Sequence, residues 1–138
     1  MIRRQLINFQ NRSVDVRVGL GAFDELSRMF ASAVGKPKRA MVVWNSASSE
    51  RFDEVVEHAL VDAGFAVSQL LLEVSPDGAT LADADTVFGA LSANGITCDD
   101  LVVAVGDTAT CSVVCWCANQ WCGRTECALL PTTFDAML

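Results

Sequence analysis

A chain of 138 residues suffices for one domain with a full hydrophobic core. Ten basic residues against seventeen acidic leave a formal net charge of −7, which excludes a nucleic-acid backbone as partner. The chain is 51% hydrophobic, yet no apolar run has membrane-spanning length, and no apolar signal-peptide core follows Met1-Ile2-Arg3-Arg4.

Residues 6–9 and 14–18 read as short strands separated by Asn11-Arg12-Ser13. In the second, Val14, Val16 and Val18 alternate with Asp15 and Arg17, which predicts a half-exposed strand. Gly19-Leu20-Gly21 ends it. Residues 23–34 have helical spacing, with Phe23, Leu26, Phe30 and Val34 on one side and Gly35-Lys36-Pro37 as the stop. Residues 40–44 form an apolar run expected to be a buried strand. Asn45 follows at its carboxyl end, the edge where open α/β sheets place ligands, and is equally suited to capping the next helix.

A helix is expected over 51–63, turning inward Phe52, Val55, Val56, Ala59 and Leu60 and leaving His58, the one histidine, in solvent. Gly64-Phe65 leads to a strand at 66–72, Ser75-Pro76-Asp77-Gly78 makes a turn, and 81–94 form the next helix, closed by Asn94-Gly95. The run Leu101 to Val105 is a second buried strand, and together with Val42, Val43, Leu70 and Leu71 it is expected to supply central strands. Gly106-Asp107-Thr108 reads as a turn, 112–120 as a helix, and 128–130 as a strand running into Pro131-Thr132-Thr133. Strands alternating with helices predict a three-layer α/β domain with a mainly parallel sheet. The turn after the 101–105 strand is where such folds hold nucleotide phosphates, on helix N-terminal potential and bare backbone.

Six cysteines, Cys98, Cys111, Cys115, Cys117, Cys122 and Cys127, lie in the last third, none in a C-x-x-C pair. Without a secretory signal they read as reduced, intracellular thiols. Cys111, Cys115 and Cys122 are expected on one helical face as small core residues; a metal or redox cluster is the alternative, although the spacing matches no zinc pattern.

The apolar strand, the turn opened by Gly106, and the intact Pro131-Thr132-Thr133 followed by Phe134-Asp135-Ala136-Met137 resemble the NAD-binding N-terminal domain of the 3-dehydroquinate synthase family. That family belongs to the sugar-phosphate cyclase and iron-dependent alcohol dehydrogenase group. The resemblance spans essentially residues 1–138 and implies a Rossmann-like fold in the cytoplasm. It also implies a part in the shikimate pathway of aromatic amino acid biosynthesis, where a carbon–oxygen lyase cyclises a heptulosonate phosphate with loss of phosphate.

The cofactor-binding positions carried over are Asn45, Asp77, Gly78, Gly106, Asp107, Thr108, Ser112, Thr132 and Thr133. Several depart from the family pattern. Asp107 and Thr108 stand where the second and third glycines belong, Cys111-Ser112 replaces Gly-Asp, and Ala79 and Ala82 replace Glu and Lys. Weak or absent NAD binding is therefore expected. The family's zinc is held by a Glu and two His of a C-terminal domain beyond these residues, so no metal ligand and no catalytic residue is assigned here. The chain is expected to be inactive alone, with a dinucleotide as its only small-molecule partner and with homodimerisation, or association with the second domain, covering its apolar surface. Two other readings stay open: a non-catalytic interaction or regulatory module, and the NAD-binding half of an alcohol dehydrogenase.

Overall fold

A computed structural model describes residues 1–36 and 38–137. The expected helix stop at Pro37 and the terminal Leu138 lie outside the described residues. Strands β1 (Arg3–Phe9) and β2 (Arg12–Val18) form an antiparallel hairpin. A 3-10 turn, Ala22–Glu25, precedes α1 (Leu26–Ala33). Then β3 (Arg39–Trp44), α2 (Ser46–Asp62), β4 (Ala66–Leu71), α3 (Leu81–Ala93), β5 (Leu101–Gly106), α4 (Thr108–Gln120) and β6 (Glu126–Pro131) alternate.

The last four strands make one parallel sheet in the order β4-β3-β5-β6. Val42, Val43, Val102 and Val103 have no exposed surface, because each face of β3 and β5 is covered by a helix layer. On one face Met41, Val43, Val102 and Ala104 pack with Val87 and Leu91 of α3 and Val113, Val114 and Cys117 of α4. On the other, Val42, Trp44, Val103 and Val105 pack with Leu26 and Phe30 of α1 and Val56 and Leu60 of α2. The architecture is thus the three-layer α/β fold expected from the alternation.

Two helices end in the same way. Phe65 N–H donates to Leu60 O and Gly64 N–H to Val61 O; Ile96 N–H donates to Leu91 O and Gly95 N–H to Ser92 O. Gly64 and Gly95 sit at φ 99° and 65°, where side chains are strained, and Phe65 and Ile96 enter the same apolar clusters as Leu60 and Leu91.

Five expectations are corrected. Helix α2 begins at Ser46 rather than 51, and α4 at Thr108 rather than 112. Their first turns are polar and set by side-chain caps, whereas apolar periodicity emerges only one turn later. Residues 23–34 are not one helix, since the 3-10 turn takes the first part and the α-helix closes at Ala33. Leu70 and Leu71 lie on β4, an edge strand, and Leu71 is exposed, because the crossover through α3 carries the chain back past β3. Cys122 is outside the helix, exposed, at φ 51°, so it shares no helical face with Cys111 and Cys115.

The fifth concerns the hairpin, whose burial does not follow the alternation, since Asp15, Val16 and Arg17 are all half-buried. Arg17 is the well-covered side chain, donating to Asp15 at 3.2 Å and to Glu25 at 2.7 Å, while Val14 and Val18 are exposed. Arg4 donates to Asp15 at 3.0 Å, and this bond, with the Arg17 guanidinium, holds the Asp15 carboxyl below its usual range. Arg4–Asp15 and Arg17–Asp15 lie within the hairpin, and the Arg17–Glu25 ion pair ties it to the turn that follows.

Candidate functional site

The chain leaves β3 through α2 to reach β4 on one side, then returns through α3 to β5 on the other. Helices α2 and α3 fall on opposite faces of the sheet, as the right-handed rule for parallel crossovers requires of this order, and the carboxyl ends of β3 and β5 become the switch point. Trp44 is in register with Val105, so Asn45 and Asp107 open the next helices side by side. Leu72 N–H donates to Trp44 O at 2.9 Å, and Thr132 N–H donates to Gly106 O at 2.8 Å. These bonds draw the loops after β4 and β6 to the same edge.

The expected residues fall there in part. Asn45 is half-buried and caps α2, its side-chain oxygen accepting from Ser48 N–H at 2.8 Å. Gly106 ends β5, where a Cβ would lie 3.0 Å from Cβ of buried Thr110, so only glycine fits without a shift. Asp107 caps α4, accepting from Thr110 N–H at 3.0 Å. Thr108 is exposed and donates its hydroxyl to Asp135 at 2.7 Å. Thr132 and Thr133 are exposed after β6. Asp77 and Gly78 sit in an exposed turn closed by Gly78 N–H to Ser75 O at 3.0 Å. Ser112 is not drawn in: it lies in the second turn of α4, exposed, with exposed Trp116 four residues on.

Two acidic residues that sequence reasoning missed join this edge. Glu73 accepts from Ser46 N–H at 2.7 Å and from the Ser46 hydroxyl at 2.5 Å, and these two bonds pull its carboxyl below the usual range. Asp135 is likewise held low, first by the Thr133 hydroxyl and then by that of Thr108. An acidic residue directly after a parallel strand was the available signal for Glu73; nothing local marked Asp135.

Glu73, Asp77, Asp107 and Asp135 therefore share an edge whose loops, residues 45–46, 73–80, 106–108 and 131–137, contain no lysine or arginine. Carboxylates of the chain itself occupy positions at the N-termini of α2 and α4, where dipole and free N–H groups favour anions. Two unit charges 4 Å apart repel by about 1 kcal/mol in water and about 4 kcal/mol at an effective dielectric of 20. Such charges disfavour a dinucleotide pyrophosphate at this turn. Among the described residues, no group of three or more His, Cys, Asp or Glu is arranged to hold a metal ion.

No protein-family model matches the chain, and no curated protein sequence is detectably similar to it. Solved structures are similar in fold. A 2-deoxy-scyllo-inosose synthase, determined with carbaglucose-6-phosphate, NAD+ and Co2+, superposes at a TM-score of 0.83 and 17% identity over 97% of this chain and 36% of its own. The chain thus has a Rossmann-like fold. A 2-epi-5-epi-valiolone synthase from Streptomyces hygroscopicus subsp. jinggangensis 5008, with NAD+ and Zn2+ bound, gives 0.65 and 18% over 78% of this chain and 29% of its own. An archaeal halo-thermophilic alcohol dehydrogenase from a Red Sea brine pool gives 0.57 and 19% over 71% and 23%. The chain thus spans little more than a third of the 2-deoxy-scyllo-inosose synthases it matches. No helix among the described residues is long and apolar enough to cross a membrane.

Proposed function

We propose that the chain is the nucleotide-binding N-terminal domain of a sugar-phosphate cyclase of the 3-dehydroquinate synthase type, with a degraded phosphate turn and no catalytic activity of its own. The observation that carries this reading is the switch point between β3 and β5, with Asn45 and Asp107 opening helices on opposite faces of the sheet. The near-complete overlap with one part of a cyclase of known structure supports it. Residues 45, 106–108 and 131–133 then form the dinucleotide edge, and a separate metal-binding domain supplies the chemistry of the shikimate-pathway lyase.

Nuclear magnetic resonance with added NAD+ tests the reading. Shifts are expected at Asn45, Gly106, Thr108 and Thr132, with a dissociation constant of about 1 mM or weaker. Phosphate release from a heptulosonate phosphate, with NAD+ and zinc present, should stay at background. A dinucleotide-silent edge would sink the nucleotide reading. It would favour a non-catalytic interaction module, the second reading, which rests on the four carboxylates at the edge and on the exposed apolar residues of the hairpin.

The partner we propose is a second copy of the chain or the second domain. Leu6, Phe9, Val14 and Val18 are exposed on the hairpin, as are Trp116, Phe134 and Met137. Monomeric soluble proteins rarely expose contiguous apolar patches beyond a few hundred Å². Trp121 belongs to the domain itself, donating its indole N–H to Ile96 O at 2.7 Å and stacking on Phe88, so Trp116 is the reporter. At micromolar concentration, light scattering should give a mass above 14.8 kDa. A monomer at all concentrations, with Trp116 open to a quencher, would remove the self-association.

A further inference from the structure

The register of the β1–β2 hairpin sorts its side chains onto two faces, since cross-strand partners share a face and the face alternates along each strand. Arg4, Leu6 and Asn8 lie with Arg17, Asp15 and Ser13 on one face, which carries the Arg4–Asp15 and Arg17–Glu25 ion pairs. The other face holds Ile7, Phe9, Val14, Val16 and Val18, with an arginine at each end: Arg3 opposite Val18, and Arg12 opposite Phe9. Ile7, Phe9, Val14 and Val18 are exposed. Among the described residues, neither apolar cluster of the domain includes one from the hairpin. A two-stranded hairpin is marginally stable by itself in water, so an apolar face of this kind gains from a cover.

Charge identifies that cover. Residues 1–18 carry four arginines and one aspartate, whereas residues 19–138 carry six basic and sixteen acidic side chains. The hairpin is therefore a basic arm on an acidic body. An acidic surface with an apolar floor exists on that body, in the open groove of about 570 Å³ between the 3-10 turn, α1 and α2. Phe23 and Val55, both exposed, form its floor, and Asp24, Glu54 and Asp62 its rim; no lysine or arginine lines it among the described residues. Ser27 donates its hydroxyl to Asp62 at 3.0 Å, and the Phe23 ring stacks on Phe52 with centroids 5.5 Å apart, so the groove is held open by its own walls. An anionic membrane offers the arm the same charge but repels the body.

We propose that this groove receives the hairpin of a second copy of the chain, apolar face inward, with Arg3 and Arg12 among the rim carboxylates. The hairpin joins the 3-10 turn through Gly19-Leu20-Gly21, and Phe23 of that turn lines the groove, so the root of the arm stands at the rim of its own groove. A two-fold axis beside the root lets each copy lay its arm on the other. The reciprocal contact closes at two copies, whereas a one-way contact would propagate. The inference rests on the self-association proposed above and not on the dinucleotide reading, which stands or falls separately.

Analytical ultracentrifugation of the full chain at micromolar concentration tests it. The wild type should sediment at twice 14.8 kDa. One variant reverses the arm, Arg3→Glu with Arg12→Glu; another reverses the groove, Asp24→Lys with Glu54→Lys. All four positions are exposed, so circular dichroism should show intact folds. Each variant alone should dimerise about tenfold or more weakly, because arm and groove then carry like charge. Mixed in equal amounts, the two should form a heterodimer as tight as the wild-type dimer, since both contacts regain opposite charges. If a reversed variant fails to fold, Arg12→Ala and Glu54→Ala replace the pair, and their combined loss of affinity should fall short of the product of the single losses. A monomeric wild type, a dimer indifferent to the variants, no recovery on mixing folded variants, or independent alanine losses would each overturn the proposal. So would binding of a monomer to vesicles of phosphatidylserine and phosphatidylcholine, which makes a membrane the occupant.

Discussion

Asp107→Gly is expected to tighten NAD+ binding by about tenfold, measured by titration calorimetry. Asp107 accepts from Thr110 N–H at the first turn of α4, so its charge stands at the point where a pyrophosphate would meet the helix. Removing one unit of repulsion is worth about 1–2 kcal/mol at the dielectric of a partly exposed edge. Losing the cap costs little in return, because glycine at an N-cap is only a few tenths of a kcal/mol worse than aspartate. Circular dichroism should therefore show an intact fold. Asp135→Asn, which leaves an acceptor for the Thr108 hydroxyl but removes the second charge, should add to the gain in the double variant. Equal affinities for the wild type and both variants would mean that this turn does not face the phosphates.

The largest loss of stability outside the apolar core is expected for Asp100→Ala, about 3 kcal/mol, read as a lowered melting temperature. Asp100 is 1% exposed, at the opposite edge of the sheet from the candidate site. One carboxylate oxygen accepts from Arg39 N–H at 3.1 Å; the other accepts from Thr97 N–H at 2.8 Å and from its hydroxyl at 3.1 Å. The side chain thereby ties the start of β3 to the turn before β5. Alanine leaves these two part-buried backbone donors without the carboxylate, and an unpaired buried donor costs about 1–3 kcal/mol. Neighbouring Asp99, which is exposed, is the control: its alanine variant should stay within about 0.5 kcal/mol of wild type. Equal melting temperatures for the two variants would show that water replaces the carboxylate.

The sheet was legible because its two central strands are buried on both faces. Runs such as Met41-Val42-Val43 and Val102-Val103-Ala104 need no partner information to be recognised, since every residue in them is apolar or small. Helix starts were less legible. Asn45, Thr80 and Asp107 cap α2, α3 and α4 through side chains that apolar periodicity does not register, and two starts were consequently displaced by more than a turn. The hairpin misled for a different reason: alternation distinguishes its two faces but does not determine which one meets the rest of the chain, and Glu25 drew Arg17 inward.

For the candidate site, residue order already marked the turn at Gly106, and the family resemblance marked the missing glycines and Pro131-Thr132-Thr133. Strand order supplied the rest. Propensity and periodicity act over one element at a time, so they mark a residue at a strand end without saying which other strand ends lie beside it. Glu73, Asp107 and Asp135 converge because β4, β5 and β6 are parallel and finish at one edge. That juxtaposition joins segments distant in the chain through backbone hydrogen bonds and a shared core, and it leaves no local signature.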